Sequence, residues 1–495
     1  MDNRNSGPTT ETNRIREFKY IWVVGLIATA LIVIVPVALA VRPESAPADD
    51  PWENVPADQP ATDHSALMKG PFETGSDVTL ACLNCHEDAA FEVMQTNHWT
   101  WQAPPVDVAW RDEAVSTGKA NVLNNFCIGI QSNWTGCTRC HAGYGWDGPD
   151  FFETASTEQV DCLVCHDQSG QYVKASSGLP AEGVDLVLAA QSVGLPTRAN
   201  CGSCHFNGGG GDAVKHGDLD ETLYFPDEQL DVHMGRHDFQ CIDCHQTADH
   251  DISGRSISVS VDNANQVYCT DCHSATQHAD ARLNAHTDTV ACQTCHIPAA
   301  ARREPTKMAW DWSTAGQDLP EDEHRYLKIK GSFIYEGDIV PSYDWYSGTA
   351  TRYLLGDPID PSGITKINDP IGAISDPESK IWPFKVHRAK QIYDAVHNYL
   401  LVPKTVGEGG YWTEFNWDLA AQLGSEQTGL DYSGEYGFTE TVMYWPITHM
   451  VAPAEQALRC TDCHSANGRM DWGALGYLGD PMQWGGRDTQ AVASN

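Results

Sequence analysis

Eight copies of one short pattern, Cys-x-x-Cys-His, govern what this 495-residue chain can fold into. They begin at Cys82, Cys137, Cys162, Cys201, Cys241, Cys269, Cys292 and Cys460, and together they take sixteen of the seventeen cysteines. Two thiols three positions apart can both be joined to the vinyl groups of one porphyrin, and the next residue is then a histidine aimed at the iron. Tetrahedral zinc sites need pairs of such dithiols but give no reason for a histidine after every pair. A redox-active Cys-x-x-Cys fails on the same ground. Each copy is therefore read as a c-type heme attachment site. The second cysteines are Cys85, Cys140, Cys165, Cys204, Cys244, Cys272, Cys295 and Cys463, and the proximal histidines are His86, His141, His166, His205, His245, His273, His296 and His464.

Eight macrocycles supply apolar surface that side chains would otherwise provide, which suits a hydrophobic fraction of only 41%. The expected fold is mainly α with extensive loops and little β, a multiheme cytochrome c built around stacked hemes. Seven motifs lie between Cys82 and His296, so every heme should lie near another and a continuous chain of hemes is expected. Between His296 and Cys460 runs an aromatic-rich, heme-free insert. Its clearest element is expected to be a helix over 386–402, where Val386, Ala389, Tyr393, Val396 and Leu400 recur at helical spacing. His387 and His397 would ride on it.

The formal charge of −36 argues against nucleic acid as a partner. At the other end of the chain, Arg4, Arg14, Arg16 and Lys19 precede an apolar run from Ile21 to Val41. That arrangement reads as an export segment with the N-terminus in the cytoplasm and the remainder on the periplasmic or cell-surface side. Its length favours a retained membrane anchor, while Ala38-Leu39-Ala40 offers a cleavage-like signal. The expected order is a cytoplasmic tail over 1–20, an anchor or signal segment over 21–41, and a Pro- and Ala-rich linker over 42–63. A seven-heme domain over 64–300, a heme-free α/loop region over 301–450 and an eighth-heme segment over 451–495 complete it.

Twelve of the 20 histidines remain for second axial positions. Those chosen by context are His64, His98, His233, His250, His278, His286 and His449, one for each of seven electron-transfer hemes. An iron with two imidazoles is coordinatively full, whereas a reactive iron needs a displaceable position.

The chain resembles the octaheme cytochromes c of the tetrathionate reductase type, more distantly related to hydroxylamine oxidoreductase and pentaheme nitrite reductase. The resemblance rests on "DHSALMKGPFETG", "NHWTW", "NNFCIGIQSNWTGCTRCHAGYGW", "KHGDLD", "CQTCHIP" and "HMVAPAEQALRCTDCHS", and on the order of all eight motifs. It implies a reactive second heme, at Cys137, Cys140 and His141, with Lys215 as an unusual iron ligand and the unpaired Cys127 nearby; Asp218 joins them as a candidate proton donor. On residue grounds alone Lys215 reads first as a solvated salt-bridging lysine and Cys127 as a small buried hydrophobe. The implied activity is reduction of small inorganic sulfur or nitrogen oxo-species such as tetrathionate, nitrite or hydroxylamine, with redox proteins or quinone-pool donors as partners. A non-catalytic, membrane-tethered conduit and hydroxylamine oxidation are the alternatives.

Overall fold

The computed structural model describes residues 21–40, 50–57, 60–127, 129–258, 260–261 and 264–487. The expected cytoplasmic tail and the first part of the expected linker lie outside them. Ile21–Ala40 is a helix of 20 residues with no charged side chain, several of whose side chains also lie outside the description. Among the described residues, no helix is long and apolar enough to cross a membrane.

The heme motifs sit on short helical pieces, including Gly75–Leu83, Leu163–His166, Arg198–His205, Cys292–His296 and Cys460–Cys463. One helical turn sets residues three apart side by side, which is what a doubly attached porphyrin requires of its two cysteines. The first of these pieces is fixed at its start by a reciprocal cap. Thr74 Oγ1 accepts from Asp77 N at 3.2 Å, and the Asp77 carboxylate accepts from Thr74 N at 2.8 Å.

The expectation of a mainly α fold with little β is overturned by the insert. Helix takes 29% and strand 17% of the structure, and eight strands form one sheet. In chain order they are β1 (Thr306–Asp311), β2 (Tyr326–Leu327), β3 (Gly331–Glu336), β4 (Ser342–Tyr346), β5 (Ile364–Lys366), β6 (Lys380–Asp394), β7 (Tyr399–Leu400) and β8 (Tyr436–Pro446). The path across the sheet is β2-β3-β1-β6-β8-β5, with β4 and β7 also pairing β6. The fifteen-residue β6 is the axis, antiparallel to β8 from Phe384↔Pro446 to Asp394↔Tyr436 and parallel to β1 at Arg388↔Ala309.

The expected helix over 386–402 is thus strand β6, a turn and strand β7. Asp394 carries the turn by accepting from the backbone N–H of Val396 and His397 at 2.9 and 2.8 Å, and Asn398 adopts a positive φ of 55°. The reason the helical pattern misled is visible in the burial. Lys385, His387, Ala389 and Gln391 are buried, while Arg388 and Lys390 between them are exposed. That is the period of a strand, but three of the four inward residues are polar, so hydropathy hid it. A helix over Trp417–Thr428, capped by Asn416 and closed by Gly429 at φ 72°, packs beside the sheet, and its Ala420 and Ala421 are buried.

Candidate functional site

Seven of the eight motif histidines face a second histidine. The ring-centre separations are 6.3 Å for His86–His64, 6.5 Å for His166–His250, 6.1 Å for His205–His98 and 6.3 Å for His245–His449. They are 6.1 Å for His273–His233, 6.0 Å for His296–His278 and 6.2 Å for His464–His286. A metal bonded at about 2 Å to two opposed imidazole nitrogens places the ring centres about 6 Å apart, so each pair has the spacing of an iron clamp.

The outer hydrogen bonds of these rings point the same way. Nδ1 of His64, His166, His245 and His286 lies 2.7, 2.8, 2.8 and 2.7 Å from the carbonyl oxygens of Thr62, Gly194, Ser253 and Arg282. Nδ1 of His250 and His464 meets the carboxylates of Glu92 and Asp480, each at 2.7 Å, and His278 Nδ1 lies 3.2 Å from Asn284 Oδ1. An Nδ1 tied to an acceptor leaves Nε2 as the free ligand atom.

His141 is the exception. Its buried ring is walled by Trp99, Trp101, Trp146, Phe151 and Phe152, with no histidine among its ring neighbours. Its Nε2 lies 2.7 Å from Trp99 O, so binding iron through this atom requires the ring to give up that contact.

The motif cysteines approach one another in sequence-distant pairs: Cys82 with Cys162, Cys201 with Cys241 and Cys269 with Cys292. Cys165 neighbours Cys201, Cys244 neighbours Cys272, and Cys295 neighbours Cys463. The attachment sites therefore run in the order first, third, fourth, fifth, sixth, seventh, eighth. The second joins this line at the fourth, where Cys140 meets Cys204.

Around the second motif, the loop from Asn124 to Trp134 is pinned to the insert. Asn133 Oδ1 accepts from Thr405 N, Thr405 Oγ1 and Val406 N at 2.7, 2.9 and 3.0 Å. Gln391 Nε2 donates to Asn124 O at 2.9 Å, Asn125 Nδ2 to His387 O at 3.0 Å and Lys307 Nζ to Phe126 O at 3.3 Å. Cys127 is half-buried, and its N–H is held by Asn124 Oδ1 at 2.7 Å. The "FNGGGG" run passes directly beside it. Gly209 and Gly210 have φ of 108° and 93°, and a Cβ at these positions would stand 2.7 Å from Phe126 and 3.3 Å from Cys127 Sγ.

Lys215 follows that run. Its amine stands 4.7 Å over the Trp445 ring, and a Cβ at Gly208, three residues beyond the fourth motif's His205, would stand 3.8 Å from its Cδ. Burial, helped by the charge of Lys119, pulls the amine down to about 7, where a neutral, ligating form is accessible. The same Lys119 acts on both Cys137 and Cys140. Behind Lys215, the buried Lys385 Nζ donates to Val214 O, Lys215 O and Thr306 Oγ1 at 2.9, 3.1 and 2.6 Å. Lys307 is buried against Trp310 and Phe333, each 4.6 Å from its Nζ, and burial brings it to about 7 although the Cys127 thiol works to raise it.

The crystal structure of an octaheme cytochrome c from Shewanella oneidensis matches with a TM-score of 0.80 at 50% identity, over 86% of this chain and 98% of that one. This chain belongs to the octaheme cytochromes c. The family model described as "Cytochrome c bacterial" matches residues 307–467, most of the sheet and the last motif. No curated protein matches. The octaheme cytochrome carries eight covalently bound hemes c and is a multiheme redox protein.

In this octaheme cytochrome, Cys127 lies near Gly210 and Lys215 near Gly208 of the same glycine run, whereas Asp218 serves a different place. Its carboxylate accepts from Thr448 N at 2.6 Å and His449 N at 2.9 Å, and stands 3.4 Å from His449 Nδ1. Burial opposes a charged imidazole there, but Asp218 outweighs it and holds His449 above its ordinary value. Lys307 and Lys385 are the residues that reading the sequence missed. Both belong to strands; for Lys385 the available signal was the two-residue alternation of "KVHRAKQ" between Pro383 and Ile392, and for Lys307 there was none.

Proposed function

We propose that this octaheme cytochrome is a reductase of small sulfur or nitrogen oxo-species, with the second heme as its reactive centre and the other seven as bis-histidine feeders. The observation that carries the reading is the asymmetry of the histidines: seven motif histidines face a second imidazole and His141 does not. The hemes supply one-electron storage and transfer, with a Lewis-acidic iron at the second site.

The chain's own residues do the rest. His64, His98, His233, His250, His278, His286 and His449 would hold seven irons together with the motif histidines they face. Lys215 would hold the iron of the second heme through its amine, whose basicity burial lowers. Cys127 presents a thiol to the same region, and Lys307 places positive charge beside it, where an anionic substrate gains most from preorganised donors. Cleaving the sulfur–sulfur bond of tetrathionate consumes two electrons and converting nitrite to ammonia consumes six, so a file of one-electron centres beside one reactive site fits either task. Asp218 acts through His449 and supports the fifth heme.

The body is exported. We take the uncharged sequence run from Ile21 to Val41 as its tether to the cytoplasmic membrane, with membrane donors or soluble redox proteins feeding the hemes. The test is spectroscopy of the oxidised holoprotein. One heme whose spectrum differs from the bis-histidine set, and which changes on addition of nitrite or tetrathionate, is expected. Eight identical low-spin bis-histidine hemes and no catalytic current would leave only a conduit.

A further inference from the structure

The inner face of the sheet carries one group that the reading above leaves unused. His387, near the middle of β6, has no exposed surface, yet neither Nδ1 nor Nε2 has a hydrogen-bond partner. It sits opposite Met443 on β8. The charged groups acting on it are Lys385, two residues along the same face, and Lys307 on the adjoining strand β1. Both lysines are buried, and neither forms an ion pair with a carboxylate among the described residues. The Asp218 charge reaches Lys385 but not the imidazole.

Packing does not explain this choice of residue. An unpaired buried polar group costs about 1–3 kcal/mol, and phenylalanine or methionine would fill the same volume on a strand without that cost. Two amines beside the ring select the sign of what would satisfy it. All three Lys385 N–H groups already donate, to Val214 O, Lys215 O and Thr306 Oγ1, and burial pushes its amine well below its ordinary value, so Lys385 has no bond left for a ligand and the role falls to Lys307. Lys307 spends one N–H on Phe126 O and has others to give. Phe126 is the residue before Cys127, so the donors adjoin the thiol.

We propose that His387 and Lys307 form an oxoanion-binding site on the inner face of the sheet, receiving an oxygen-rich anionic group such as a sulfonate or sulfate next to Cys127. Taking that anion to be one end of the reduced substrate rests on the reading of the second heme as reactive; the binding site itself does not.

The test is calorimetric titration of the oxidised full-length holoprotein with sodium sulfate, a non-reducible probe. Wild type should bind it at a single site. His387→Phe, close in shape but without nitrogens, and Lys307→Gln should each weaken it roughly tenfold or more, the effect of losing one charged hydrogen bond. His397→Asn, in the exposed turn, should leave it unchanged, and unaltered heme spectra would show each variant to be folded. Absence of sulfate binding by wild type, or an affinity unmoved by His387→Phe, overturns the proposal. The two readings separate in the Lys215→Ala protein: full turnover there defeats the second-heme assignment, while sulfate affinity that still depends on His387 keeps the anion site.

Discussion

At the scale of single residues, the decisive feature is a pair of amines held far from their usual basicity. Lys215→Ala is expected to abolish at least nine-tenths of turnover and to change the spectrum of one heme only, since a ligand that differs from histidine alters that iron alone; rapid-scan absorption and electrode currents check it. Lys307 gives a pH dependence with a definite sign. Its amine is held near 7, so the ammonium present below that value is lost above it, with Cys127, Lys330, Lys385 and His387 as the charged or titratable neighbours. KM for an anionic substrate should therefore rise as pH climbs through about 7 and flatten in Lys307→Gln. Which lysines matter was only partly legible. Lys215 came from a resemblance of local sequence, while Lys307 shows nothing in its own neighbourhood to separate it from a surface lysine, because its role depends on a strand pairing.

Among the elements, the sheet and the Asn124–Trp134 loop are mutually dependent. Asn133 satisfies three donors of the Thr405–Val406 segment, and Asn133→Ala should cost about 2–4 kcal/mol by leaving buried N–H groups unpaired, read as a lowered denaturant midpoint. Gly209→Ala should be similarly damaging, because the new Cβ meets the Phe126 ring at 2.7 Å with the backbone already at a φ of 108°. The heme motifs were legible as covalent chemistry and the glycine run as a place of close approach. The sheet was not. Strand β6 turns Lys385, His387 and Gln391 inward, so its apolar residues fall by accident at helical spacing. A functional wall is where hydropathy and burial part company.

Over the whole molecule, the attachment sites form a file with one side branch, and the branch point is the fourth site. Replacing His98, which faces His205 at 6.1 Å, by methionine should raise that heme's potential and slow reduction of the second heme by about tenfold or more. The same change at His64, which faces the first motif at the end of the file, should slow it far less; stopped-flow reduction monitored at the odd heme distinguishes them. The order of the file was not legible, since it follows from contacts between cysteines many residues apart. The number of centres was, because each motif is local.

The outer partners of the axial imidazoles carry one more consequence. His250, His449 and His464 have Glu92, Asp218 and Asp480 beside Nδ1, whereas His64, His166, His245 and His286 have only peptide carbonyls there. A carboxylate makes the ring a stronger donor and favours ferric over ferrous iron, so the third, fifth and eighth centres should sit at lower midpoint potentials than the first. Electrons crossing the protein would thus travel an uneven landscape, alternately climbing and falling, with the acidic residues setting its valleys and ridges.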